Sequence, residues 1–88
     1  MSQVITRQMV ADKLAAYLRH ELSLADLVAW AEDAMMDGEF ELQHCTAIRD
    51  VVGRLGVADV RAFGLTWYDC EQLLRQLGYA AHVQIMAT

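Results

Sequence analysis

The sequence predicts an all-α fold: a small four-helix domain with short connections and room for a short strand at the C-terminal end. Three observations carry that reading. Apolar residues recur at helical spacing in four separate stretches, about 7–20, 24–37, 41–55 and 67–77. Residues suited to starting or stopping helices (Thr6, Ser23, Gly38, Gly56, Thr66, Gly78) sit at the ends of those stretches. The 88 residues suit a single domain, and a chain with no proline, 56% hydrophobic and 22% charged residues is neither disordered nor of low complexity.

The chain opens on a lead in which Val4 and Ile5 form either a strand or a hydrophobic staple for the first helix. Thr6 is the expected N-cap of that helix. Val10, Leu14, Tyr17 and Leu18 make its apolar stripe, Ala11 and Ala15 permit close approach, and Asp12, Lys13 and Arg19 face outward. The connection at 20–22 is short, so the next helix is expected to run antiparallel beside the first.

The second helix is the best defined. The Ser23 hydroxyl can accept a hydrogen bond from an early backbone N–H, and Asp26 completes an S-x-x-D capping pattern. Leu24, Leu27, Val28, Ala31 and Met35 form one stripe, widened by Trp30 and Ala34. Gly38 is the expected left-handed C′ residue. Glu32, Asp33 and Asp37 crowd the end of the helix dipole that prefers cations, a placement that suggests another use for the charge.

The third helix buries Cys45, Ile48, Val51, Val52 and Leu55, and Gly56 closes it. The stretch 57–65 is the least regular; Asp59 can cap a single turn there, and Gly64 breaks it. Thr66 caps the fourth helix with Asp69 as the reciprocal acid, its stripe is Cys70, Leu73, Leu74 and Leu77, and Gly78 stops it. From 81 to 86 the period becomes two, which reads either as a strand or as an extended tail. A strand there needs a partner: the Val4–Ile5 lead, a second copy, or another protein. Residues 24–30 and 57–63 look alike over seven positions, a chance likeness of two capped turns rather than a repeat.

Charge is placed unevenly. The formal net charge is −5. Residues 1–19 carry Arg7, Lys13 and Arg19 against Asp12. Residues 20–48 carry Glu21, Asp26, Glu32, Asp33, Asp37, Glu39 and Glu41 with no Lys or Arg, and residues 49–88 balance four against four. Such a block disfavours nucleic acid and anionic membrane surfaces, and favours a basic partner.

The chemistry-bearing patterns are few. The Asp37–Glu41 run begins like a calcium loop, but the sixth and twelfth positions, which need Gly and Glu, are Leu42 and Ile48. His44 and Cys45 are adjacent rather than spaced as zinc ligands. No phosphate loop, nucleophile elbow or carboxylate pair accompanies either cysteine, so the chain is expected to be no enzyme and to need no cofactor or metal, with no catalytic residue. Both cysteines are expected to be reduced core residues of a cytoplasmic protein, and no apolar run reaches the length of a membrane span.

Leu24–Ala31 after a short first helix, followed by the acidic turn Asp37-Gly38-Glu39, resembles the small helical bacterial immunity proteins that neutralise colicin-type or contact-delivered toxins. The resemblance covers about a third of the chain. It implies an acidic surface that plugs the basic active site of a nuclease toxin. On charge and aromatic placement, the expected partner-binding residues are Trp30, Asp33, Asp37, Glu39, Phe40 and Glu41. The alternative is a homodimeric structural or adaptor domain, motivated by the high apolar content and the strand-like tail, in which the acids only confer solubility.

Overall fold

A computed structural model describes residues 4–58 and 65–81. The order is β1 (Val4–Ile5), α1 (Arg7–Leu18), α2 (Leu24–Asp37), β2 (Glu39–Phe40), a 3₁₀ turn (Leu42–His44), α3 (Cys45–Leu55) and α4 (Trp67–Gln76). The four expected helices are present. α2 packs most extensively on α3, and α1 touches all three other helices.

The stripes converge on one core. Val10, Ala11 and Leu14 come from α1, Leu27, Ala31 and Ala34 from α2, Ile48, Val51, Val52 and Leu55 from α3, and Cys70, Leu73 and Leu74 from α4. Three stripe residues depart from expectation. Leu24 and Cys45 are only half-buried and lie outside the core cluster. Met35 is 46% exposed, because the helical line of burial runs Leu27–Ala31–Ala34 and the neighbouring end of α3 presents Gly53 and, just past the helix, Gly56, which have no side chain to cover it. Lys13, expected to face outward, lies half-buried with its ammonium 5.6 Å from the centre of the Trp30 ring.

Helix ends follow local chemistry. Met9 N–H donates to Thr6 Oγ1 at 3.2 Å, and Asp26 N–H to Ser23 Oγ at 3.1 Å. Thr66 and Asp69 form a full capping box, with both bonds at 3.1 Å. α1 stops at Leu18, two residues before the expected end. His20 takes φ +63°, and the N–H groups of His20 and Glu21 donate back to Tyr17 and Ala16 carbonyls. This is a Schellman motif built on a histidine. α4 ends in the same motif, with Gly78 at φ +94°.

Gly38 has another role than a left-handed stop. Its φ of −82° and ψ of 153° are extended, since the chain runs straight into β2. A Cβ there would lie 2.7 Å from the Ala34 carbonyl oxygen and 2.8 Å from Ile5 Cγ1. Glycine is needed for close approach.

The lead and the acidic turn make a two-stranded parallel sheet, with Val4 opposite Glu39 and Ile5 opposite Phe40. Glu41 N–H extends it by donating to the Ile5 carbonyl at 3.0 Å. The lead therefore pairs with Glu39–Phe40. Of the expected strand at 81–86, Ala81 is in no regular element, and 82–86 lie outside the described residues, as do most of the irregular stretch (59–64) and its single turn. The third helix, expected from about 41, starts at Cys45 after the 3₁₀ turn at Leu42–His44, because Glu41 still belongs to the sheet register.

Candidate functional site

The acidic block resolves into a surface and a joint. The surface is the outer face of α2 and its exit. Glu32, Asp33, Asp37 and Glu39 are exposed, and among the described residues their side chains have no ion-pair or hydrogen-bond partner. Two ion pairs among the described residues, Arg19–Glu21 at 3.2 Å and Arg54–Asp69 at 3.8 Å, lie elsewhere. Helical spacing places Asp33 and Asp37 four residues apart with Met36 between them, and Met36 is 80% exposed.

The joint is Glu41. Its carboxylate is half-buried and accepts the Arg7 backbone N–H at 2.9 Å, so it satisfies an orphan donor of α1 and sits at the positive end of that helix. The two aromatic candidates are also partly engaged. Trp30 packs against the core under Lys13, and Phe40 packs against the core with the Arg49 guanidinium 6.0 Å from its ring centre. Of the six sequence-chosen residues, Asp33, Asp37 and Glu39 share the open surface. Trp30, Phe40 and Glu41 border it from within the fold.

Charge pattern alone does not reveal the apolar companions of those acids. Met35, Met36 and Val57 are exposed large apolar residues, and with Glu32, Gly53 and Gly56 they line a shallow groove of about 300 Å³ between α2 and α3. Gly53 was the available signal: a glycine in a helix interior with no turn to make. Among the described residues, a Cβ there would meet nothing within 4 Å.

A second cleft, about 500 Å³, lies between α1 and α4 and is lined by Ala11, Ala15, Leu18, Trp67 and Leu74 among others. Trp67 is 42% exposed at its edge. Both cysteines are free. Cys70 is buried, and that burial, with the charge of Asp69 beside it, pushes its thiol up to about 11. Cys45 Sγ lies 3.6 Å from Arg49 Nη2.

Among the described residues no three His, Cys, Asp or Glu side chains are grouped to hold a metal ion, and no helix is long and apolar enough to cross a membrane. Compared with known protein families, with curated proteins and with solved structures, the chain finds no match.

Proposed function

We propose that this protein is a non-enzymatic binding module that engages a basic protein through the outer face of α2 and its exit into β2. The observation that carries the reading is the set Glu32, Asp33, Asp37 and Glu39, exposed together and without partners among the described residues. An isolated fold gains nothing from it. Asp37 sits in the last turn of α2, where the dipole disfavours an anion and no basic residue offsets it. Such a surface speeds association with a cationic partner and selects against anionic ones. An immunity-type role, with a basic toxin or nuclease as the partner, is the specific form we favour for its chemistry.

The test is capture from the source lysate by the wild-type protein and by a D33K/D37K/E39K variant in parallel. A basic protein held by the wild type, released as salt rises and missed by the variant supports the reading. Equal capture by both, or capture indifferent to salt, overturns it.

One observation favours a second reading, self-association. Trp67 and Tyr68, 42% and 65% exposed, begin α4, and Trp67 lines the α1–α4 cleft. A homodimer formed there is resistant to salt and is lost in Trp67→Ala, as read by sedimentation equilibrium.

A further inference from the structure

Gly53 costs the fold stability and, among the described residues, no neighbour requires it. In the interior of α3, alanine has the higher helix propensity. Many buried glycines are explained by a neighbour that leaves no room for a Cβ. Here the space is open. What the missing side chain does is keep the α2–α3 groove clear and the α3 backbone reachable from outside.

The groove's other residues fit a ligand rather than a core. Met35, Met36 and Val57 are 46%, 80% and 44% exposed. Methionine is flexible and polarisable, and it moulds itself to apolar surfaces that arrive from outside. The polar residue in the groove is Glu32, and Asp33 and Asp37 continue the negative border along α2. An apolar channel with an acidic border complements an apolar stripe with a cationic border.

The backbone decides between a strand and a helix as the occupant. Inside α2 and α3 the main-chain groups are already paired, so an incoming strand would find no ladder to extend. A helix satisfies its own backbone and needs only side-chain contact. We propose that the groove lined by Met35, Met36, Gly53, Gly56 and Val57 receives the apolar face of a basic amphipathic helix, whose Lys and Arg residues meet Glu32, Asp33 and Asp37. This inference rests on the acidic-face reading above and adds to it the element that docks.

The experiment uses the isotope-labelled protein and two Leu/Lys peptides of about 14 residues, roughly four helical turns. One places Leu at i, i+3, i+4 and i+7; the other has the same composition with that spacing scrambled. The expected result is binding of the patterned peptide at least about tenfold tighter than the scrambled one, with amide shifts at Met35, Met36, Gly53, Gly56 and Val57. Gly53→Gln fills the groove while raising helix propensity, so it should keep or increase Tm, weaken the patterned peptide about tenfold and leave the salt dependence unchanged. Met36→Ser, at a position 80% exposed, is a second variant expected to weaken the same peptide with no loss of fold. Equal affinity for the two peptides, or Gly53→Gln and Met36→Ser both binding like wild type, overturns the groove. If both peptides still bind in a salt-dependent way that D33K/D37K/E39K abolishes, the acidic-face reading survives that failure. If neither peptide binds at low ionic strength, both readings fall.

Discussion

The Glu41 carboxylate accepts a hydrogen bond from the backbone N–H of Arg7, 34 residues earlier in the chain, at 2.9 Å. One bond thus ties the acidic turn to the start of α1, next to the Glu41 N–H that donates to the Ile5 carbonyl. Charge-assisted caps of this kind contribute about 1–2 kcal/mol. Glu41→Ala should lower stability by that amount in urea melts, and Glu41→Gln, which keeps an acceptor, by less. Neither should change the salt dependence of partner binding as Asp33→Lys does.

Asp37 should behave in the opposite way. It lies at the negative end of α2 with no cation in the last turn. Asp37→Lys should stabilise the fold by about 0.3–1 kcal/mol in thermal melts at low salt, while weakening a basic partner. Loss of stability in this variant would mean that Asp37 has a structural task.

The glycines separate by the space around them. Gly38→Ala forces a Cβ to within 2.8 Å of both a backbone oxygen and the buried Ile5 side chain, and should cost about 1–3 kcal/mol. Gly53→Ala meets open space and should gain about 0.5–1 kcal/mol. Denaturant midpoints moving in the same direction for both would contradict this geometry.

His20 holds a left-handed conformation that costs a side-chain-bearing residue about 1 kcal/mol. Gly78 does the same task in α4 without that cost. His20→Gly should therefore raise stability by several tenths of a kcal/mol up to about 1 kcal/mol, measured by chemical denaturation.

The cysteines should differ in reactivity and in pH response. A thiol reagent at neutral pH should label Cys45 readily and Cys70 only as fast as the protein opens, since Cys70 is buried. The Cys70 thiol is raised from 9.0 to about 11, chiefly by burial. Between those values the unfolded chain has released its proton and the native chain has not. Stability from Cys70 is therefore complete below about pH 9 and declines as pH rises towards 11, by on the order of 2 kcal/mol. Cys70→Ala, although less stable at neutral pH, should show a shallower decline over that interval.

Helix ends set by neighbouring side chains were legible in advance. Thr6, Ser23 and Thr66 cap as their chemistry demands, and the apolar stripes of α1, α3 and α4 supply the core with few exceptions. The candidate site was half legible. Charge pattern pointed to Asp33, Asp37 and Glu39, which stand together in the open. Periodicity placed Met35 in the core, and it gave no reason to see Glu41 as a cap or Lys13 as the lid over Trp30. Those depend on which residues face one another across the fold.

Four helices, most of their caps and an acidic middle third can be read from the residues alone, because period, capping chemistry and charge act over a few residues. The parallel pairing of Val4–Ile5 with Glu39–Phe40 comes from the packing of the fold, since a two-residue strand carries no periodic signal and exists only where α1 and α2 bring it to a partner. Packing likewise decides that Gly38 is needed for lack of space and Gly53 is not, because the room around a Cβ belongs to the neighbours and not to the residue.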